Sequence, residues 1–388
     1  MNIGFDAKRA FFNATGLGQY SRTLIRSIAA GYPENNYFLY VPKRFIQVGE
    51  ALFQPTGNNM KICTPPTLRD GIFGGSLWRS VYMGNAVKRD KVDVFHGLSN
   101  ELPLNIHRSR ARSVVTVHDL LFVREPHLYP AFDRFIYTQK LKAACQRADK
   151  IIAVSQQTKQ DLLEQVKVEE GKVAVIYQSC DAAFYNYDDD MFLQHGFFVQ
   201  QEYHLPYTLP EKYLLYVGSL TPRKNILPLL KAFSLLLHEI PDIHLVLAGE
   251  GPERAAIEAY INDNAALLQT KVLLLSRVAQ EHLPALIRCS QGLVYPSVTE
   301  GFGIPIIEGL FSRVPVVAGD SAATREAGGP YTEYIQPNDT AGFAATLQKV
   351  LSVGSLRIDM VVHGWNYAQK FRQEAAAAQV MDIYRALL

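Results

Sequence analysis

Two carboxylates, Glu300 and Glu308, flank a Gly-Phe-Gly turn in the stretch Ser297-Val-Thr-Glu-Gly-Phe-Gly-Ile-Pro-Ile-Ile-Glu308. Pro305 and the apolar run after it predict a helix over Pro305–Phe311, because proline is tolerated in a first turn where its missing N–H has no partner to lose. Gly301 and Gly303 let backbone N–H groups approach a ligand with no Cβ in the way. A helix start behind such a turn favours an anion, most naturally a phosphate. An anion is repelled by Glu300 and by Glu308, about one turn into the helix, so the two acids suit the neutral, hydroxyl-rich parts of the same ligand. The combination fits a nucleoside-diphosphate sugar, with diphosphate on the amides and hydroxyls on the acids. The plainer alternative is that both glutamates only complement the dipole of a helix start.

The elements that must hold these residues alternate short β-branched runs with helical patterns, which argues for parallel sheets covered by helices on both faces. In the first half the strands are expected at Ile3–Asp6, Tyr37–Val41, Lys61–Cys63, Val92–His96, Ser113–His118, Lys150–Val154 and Val173–Tyr177. Helices are expected at Gly18–Ala30, Leu77–Lys88, Asp133–Arg147 and Gln156–Gln165, the last capped by Ser155. From Gln178 to Leu209 the pattern fails, and this stretch reads as a connector; its Asp188–Asp190 run reads as a solvated acidic loop rather than a metal site. A second series follows, with strands at Tyr213–Val217, Ile243–Ala248, Val272–Leu275, Gly292–Tyr295, Pro315–Ala318 and Glu333–Ile335. Its helices fall near Lys224–His238, Glu253–Asn264, Gln280–Ile287, Pro305–Phe311 and Ala341–Leu351, and the tail from about Asp359 is helical in composition. The fold class is therefore α/β: two doubly wound Rossmann-like domains, about 1–190 and 210–365, facing across a cleft. Ligands in open α/β sheets bind outside the strand C-terminal ends, so the loops there should carry the chemistry.

At 388 residues the chain is comfortable for two domains, and its 48% hydrophobic and 20% charged residues are those of an ordinary globular protein. No apolar run approaches membrane-spanning length, and the N-terminus reads as a first strand rather than a signal peptide. Cys63, Cys145, Cys180 and Cys289 show no metal-ligand spacing and read as reduced thiols of a cytoplasmic protein. The net charge of +2 is unevenly spread: residues 1–200 hold 24 Lys and Arg against 19 Asp and Glu, and the remainder 15 against 18. The clusters Lys88, Arg89, Lys91 and Arg108, Arg110, Arg112 could meet an anionic membrane surface or a lipid-diphosphate acceptor, or could be solvated loops. No nucleic-acid partner is expected.

The Glu300–Glu308 stretch closely resembles the E-x7-E signature of retaining glycosyltransferases of the family 4 (group 1) type, which have the GT-B fold. The other matches keep the family's order along most of the chain. Gly218-Ser-Leu-Thr-Pro-Arg-Lys-Asn225 follows a predicted strand and is similar to the family's Gly-Arg-x-x-x-x-Lys segment, whose Arg and Lys hold the donor diphosphate. Lys224 falls on that lysine; Ser219 stands at the usual arginine, and Arg223 could supply the guanidinium from the adjacent position. Two cations at a helix start oppose the dipole and so want an anionic partner. Gly249-Glu-Gly-Pro-Glu253 resembles the family's Gly-x-Gly-Pro, and serves equally well as a simple turn. The loop Ser276-Arg277-Val278 corresponds to one that meets the nucleotide base. Ser321-Ala-Ala-Thr-Arg-Glu326 resembles a helix start that usually ends in Pro-Glu, with Arg325 in place of the proline.

In the first half, Thr15-Gly-Leu-Gly-Gln-Tyr20 is not a dinucleotide fingerprint: it lies about ten residues beyond the first strand, and the third glycine would fall at Ser21. Gly16 and Gly18 instead match the family's Gly-x-Gly loop beside the donor phosphates and acceptor; Lys8 and Arg9 could share that region. His118, ending the strand Ser113-Val-Val-Thr-Val, matches a histidine that the family places near the donor sugar, whereas His96 reads as a satisfied, partly buried histidine. Val173-Ala-Val-Ile-Tyr-Gln-Ser-Cys-Asp181 resembles a strand and loop that commonly read Ile-Pro-Asn-Gly-Val-Asp, with Asp181 kept and Asn-Gly replaced by Ser179 and Cys180 or their neighbours.

The resemblance implies a metal-independent hexosyltransferase with retention and no cofactor beyond the nucleotide-sugar donor, acting on a glycan or lipid-linked glycan in cell-surface polysaccharide or lipopolysaccharide synthesis. Its expected place is the cytoplasm or the inner face of the membrane. Glu300, Lys224, Arg223 and His118 are the expected catalytic residues. Gly16, Gly18, Ser219, Arg277, Val278, Phe302, Gly303, Ile304 and Glu308 are expected to bind substrate, and GDP-mannose is favoured by the Pro-Arg-Lys-Asn variant. The chain's end is expected to cross back onto the first domain. The alternatives are a GT-B nucleotide-sugar epimerase and a non-catalytic nucleotide-sugar-binding subunit.

Overall fold

Strands buried on both faces read as near-continuous apolar runs, and runs such as Tyr213-Leu-Leu-Tyr-Val and Leu245-Val-Leu-Ala form the centre of a sheet in the computed structural model. The structure describes residues 1–42, 53–54, 59–66, 74–187, 205–263, 266–276, 278–352 and 354–388. The described chain divides into two compact units: Met1–Asp181 with Phe371–Leu388, and Ala182–Lys370. Each is a parallel-sheet α/β domain of the Rossmann kind.

The first unit holds β1 (Asn2–Asp6), β2 (Asn36–Tyr40), β3 (Met60–Cys63), β4 (Val94–Gly97), β5 (Arg112–Val117), β6 (Lys150–Ala153) and β7 (Val173–Val175), in the order β3-β2-β1-β4-β5-β6-β7. The second holds β8 (Tyr213–Val217), β9 (His244–Ala248), β10 (Val272–Leu275), β11 (Gly292–Tyr295), β12 (Val316–Gly319) and β13 (Glu333–Ile335), in the order β10-β9-β8-β11-β12-β13. Every pairing is parallel. The strand order reverses between β1 and β4 in one sheet and between β8 and β11 in the other. Such a reversal opens a crevice at the strand C-terminal ends.

The first sheet is sandwiched between two clusters of buried side chains. One includes Ile3, Phe5, Val94, Val114 and Ile152 with the Gly16–Gly31 helix; the other includes Phe95, Val115, Val117 and Ile151 with Trp78, Leu141 and Leu162. The helical tail is not continuous. Helix Ser355–Ala368 belongs to the second unit and helix Gln373–Leu387 to the first, with a 3-10 turn at Gln369–Phe371 between them. The break coincides with the passage from one core to the other, where Phe371 is buried with its ring edge-on to Tyr177. The final helix packs on Gly16–Gly31 and buries Ala376, Ala377, Val380, Met381 and Tyr384.

Leu77–Lys88 also departs from a plain helix. Trp78–Tyr82 forms a π-helical turn between two α-helical pieces. By unit the charge separates further than by halves: the first holds 26 Lys and Arg against 18 Asp and Glu, net +8, and the second 13 against 19, net −6. All four cysteines are buried. The Asp188–Asp190 run lies outside the described residues.

Candidate active site

The reversal of the second sheet brings the loops after β8 and β11 side by side. In the first of these, Pro222–Lys224 make one 3-10 turn, and Asn225 in the left-handed region (φ +60°) ends it before helix Ile226–Glu239 begins. Arg223 and Lys224 therefore precede the helix by a turn instead of sitting in its first residues. The anionic partner that such cations want is already present. Glu300 Oε1 accepts hydrogen bonds from Arg223 Nη1 at 2.5 Å, from Ser297 Oγ at 2.5 Å and from Lys224 Nζ. The backbone locks the two loops together: Val298 N donates to Arg223 O at 2.9 Å, and Arg223 Nη1 also reaches Thr299 O at 3.2 Å.

Lys224 is 4% exposed and Glu300 9%. Burial alone would raise the Glu300 carboxyl, but Lys224 and Arg223 outweigh it and hold it far below the ordinary carboxylate range. Burial also draws Lys224 below an ordinary lysine, with Arg223 adding to the effect and Glu300 opposing it. The Tyr295 hydroxyl accepts a second hydrogen bond from Lys224 Nζ, which also lies 4.3 Å from the centre of the Tyr295 ring. Tyr295 and Ser297 thus belong to the site, although sequence reasoning assigned neither. The available signal was their place at the end of β11, the strand next to β8.

After Glu300 the chain turns at Phe302, which is buried, and at Gly303, whose φ of +123° is closed to ordinary L side chains. Ile304 opens helix Ile304–Phe311, one residue earlier than expected, and Glu308 lies one turn in, 5% exposed. Gly249 has a packing reason: a Cβ there would sit 1.8 Å from Gly218 O. Its loop is stitched to the one after β8 by Gly218 N to Ala248 O (3.0 Å) and Leu220 N to Glu250 O (2.9 Å). Ser219 is half-buried beside it, its carbonyl accepting from Tyr216 OH at 2.8 Å. Val278 is half-buried, and Arg277 lies outside the described residues. Ser321 and Thr324 form a reciprocal cap, and Arg325 pairs with Asp320, so this segment has a structural explanation.

In the first unit, Asn13 organises the glycine loop. Its side-chain oxygen accepts from Thr15 N at 2.9 Å and Gly18 N at 3.1 Å, and a Cβ on Gly18 would meet Asn13 O at 1.8 Å. Gly16, at the helix start, has open space around it. His118 is 4% exposed and both its ring nitrogens are engaged: Nε2 donates to Leu98 O (2.8 Å) and Nδ1 accepts from Gln178 Nε2 (2.8 Å). Burial lowers its pKa to about 4. His96 is buried between Tyr384 OH (2.6 Å) and Thr116 Oγ1 (2.8 Å). A second ionic cluster sits where the first sheet reverses. Arg79 joins Asp6 (2.6 Å), at the end of β1, to Glu101, which follows β4. Arg79 sits in the π-turn, and no local spacing in the sequence pairs it with either acid.

The sequence profile of "Glycosyl transferases group 1" matches residues 203–371, and that of "Glycosyltransferase Family 4" matches residues 34–184. The chain is 27% identical over its whole length, and over the whole of the relative, to O-antigen chain mannosyltransferase B of Escherichia coli. Solved structures share its fold. A sucrose-phosphate synthase from Thermosynechococcus elongatus superimposes with a TM-score of 0.76 at 20% identity, covering 100% of this chain and 99% of that one. Anabaena Alr3699/HepE, solved with UDP, gives 0.71 at 16% identity, covering 99% of each chain.

Proposed function

We propose, for a chain that belongs to the GT-B glycosyltransferases, that it transfers a mannosyl group from GDP-mannose to a hydroxyl of a glycan or lipid-linked glycan, with retention and without a metal ion. The observation that carries this reading is the Lys224–Arg223–Glu300 cluster at the point where the second sheet reverses. Two cations held on one buried carboxylate suit a pyrophosphate whose negative charge grows as it leaves. Such a preorganised group stabilises the departing charge with no rearrangement at the moment of reaction. A relative that spans the whole chain, an O-antigen chain mannosyltransferase, supports mannose and a surface polysaccharide.

In this reading the donor diphosphate takes over Lys224 and Arg223, assisted by the backbone amides around Phe302–Ile304. Glu300 then turns its carboxylate toward sugar hydroxyls, and Glu308 faces the ribose. The bond from the anomeric carbon to the phosphate oxygen breaks, and a bond to the acceptor oxygen forms on the same face. The acceptor's proton passes to the leaving phosphate. His118, neutral and with both its ring nitrogens engaged, is not given the proton transfer in this reading.

The test is a thermal-shift screen of GDP-, UDP-, ADP- and dTDP-sugars, followed by a transfer assay read by anomeric proton NMR. Ligand that binds the native state raises the melting temperature. GDP-mannose should give the largest shift, and the product should be the α-mannoside. Absence of a shift with every donor defeats the reading, and a β-linked product defeats retention.

A further inference from the structure

Tyr295 ends β11, buried, with its hydroxyl against the Lys224 ammonium. A buried hydroxyl costs stability unless it is hydrogen-bonded, so packing alone would be served better by phenylalanine. The Tyr295 ring stacks on Tyr216 of β8, with centroids 6.5 Å apart and planes 14° from parallel, and Tyr216 OH is itself fixed to Ser219 O at 2.8 Å. An ammonium has three N–H groups to give. Among the described residues, Lys224 Nζ donates to Glu300 Oε1 and to Tyr295 OH. These two acceptors differ in kind. Glu300 is a carboxylate and neutralises the ammonium. Tyr295 stays a neutral phenol, because burial and the nearby Glu300 hold its hydroxyl well above an ordinary tyrosine. A neutral acceptor fixes the direction of a cation and leaves its charge for another anion.

The geometry points to Tyr295 as a positioning residue, whose hydroxyl keeps Lys224 aimed at the donor diphosphate once Glu300 has turned to the sugar. In the proposed transfer, on which this role rests, Glu300 exchanges Lys224 for sugar hydroxyls. The ammonium then keeps its bond to Tyr295 and its place 4.3 Å from the ring centre, and its other two N–H groups are open to phosphate oxygens. Arg223 and the amides around Phe302–Ile304 still bind the ground-state diphosphate. The loss of the Tyr295 hydroxyl therefore falls mainly on the transition state, where charge grows on the leaving group.

The experiment compares the full chain with two variants. Tyr295→Phe keeps the ring beside the ammonium and removes the hydroxyl, whereas Tyr216→Phe removes a buried hydroxyl whose bond goes to Ser219 instead. The first readout needs no donor: carbon NMR of ε-labelled lysines, with the Lys224 signal assigned by its loss in Lys224→Met. Lys224, drawn down to about 8 in the wild type, should titrate about half a unit or more lower in Tyr295→Phe, the scale of one hydrogen bond to a charged group. The charged groups around it, Glu300 and Arg223, are the same in both proteins. In Tyr216→Phe the Lys224 titration should not move. The second readout is transfer. In Tyr295→Phe, kcat should fall about ten-fold with the donor KM within about three-fold of wild type, and the basic limb of kcat/KM should shift with the NMR titration. A merely structural role would lower the melting temperature and move neither the titration nor the limb. The role is overturned if Lys224 titrates alike in wild type and Tyr295→Phe, if Tyr216→Phe shifts it equally, or if kcat of Tyr295→Phe equals that of wild type. A wild type that transfers from no donor defeats the transfer reading and this role with it, whereas an active wild type beside an unchanged variant defeats this role alone.

Discussion

Lys224 Nζ and Glu300 Oε1 are hydrogen-bonded to each other in a buried site, although 76 residues separate them in the chain. The acid expected to face sugar and the cation expected to face phosphate hold one another. Pairing compensates both charges for the loss of water, and Arg223 adds a second positive charge to the same oxygen. If the proposed donor binds here, it exchanges these partners, and the energetics follow from what each partner loses.

Removal of Lys224 or Glu300 should each lower turnover at least about 10²-fold, the scale of one lost transition-state contact. The stability effects differ from the kinetic ones. Glu300→Ala leaves Lys224 and Arg223 without their counter-ion and should cost about 3–5 kcal/mol. In the cycle of wild type, Lys224→Met, Glu300→Ala and the double variant Lys224→Met, Glu300→Ala, the double variant should be more stable than the sum of the single losses predicts, since the partners are in contact. Urea unfolding of the four proteins gives the coupling; additive losses would mean that the pair is not formed in solution.

The pH dependence of stability has a definite sign. Lys224 and Arg223 hold the folded-state pKa of Glu300 well below its ordinary 4.5, so the unfolded chain takes up the proton first. The stabilisation is fully present above that ordinary value and is lost as pH falls toward the folded one. The melting-temperature gap between wild type and Glu300→Gln should be widest near neutral pH and close progressively below pH 4.5. A gap that does not change with acidification contradicts the ion pair.

His118 should be neutral throughout the physiological range, because burial pulls its pKa down to about 4. Its Nε2 faces the Leu98 carbonyl and must carry the proton, which fixes one tautomer. Nitrogen NMR of the histidine ring should report the Nε2–H form from pH 5.5 to 8. The profile of kcat/KM should show no limb that disappears in His118→Gln. A limb near pH 6.5 that vanishes in that variant would restore a proton-transfer role.

The strands were legible because parallel sheets buried on both faces leave unbroken apolar runs ended by glycine or polar loops, as at Leu245-Val-Leu-Ala before Gly249. Glu300 and Gly303 were legible as candidates because one short motif, Ser297–Glu308, gathers them, and Lys224 because a second, Gly218–Asn225, carries it. Tyr295 was not: its bond to Lys224 depends on β11 lying beside β8, which no local spacing records. The same holds for Arg79 between Asp6 and Glu101, where three separate segments meet. The π-turn at Trp78–Tyr82 and the break before Gln373 also escape a pattern of period 3.6, since neither needs a proline or glycine to mark it. Nor does periodicity show that Phe132 and Phe135 remain in water; only the packing of Ala131–Arg147 decides which of its faces is covered.

The last helix should prove to be part of the first unit's core. Tyr384 is buried, its hydroxyl 2.6 Å from His96 Nδ1, and His96 Nε2 continues to Thr116 Oγ1 and so to Tyr20 OH at 3.0 Å. Tyr384→Phe keeps the ring and leaves one buried imidazole nitrogen without its partner, which should cost about 1–3 kcal/mol. Truncation before Gln373 removes Val380, Met381 and Tyr384 together and uncovers the Gly16–Gly31 helix they pack on, so the first unit should lose its cooperative transition. Hydrogen exchange localises the effect: in Tyr384→Phe, amides of β4, β5 and helix Gly16–Gly31 should exchange faster while those of β8 and β11 do not change. Equal acceleration in both units, or none in the first, would show that the helix does not stabilise the first sheet.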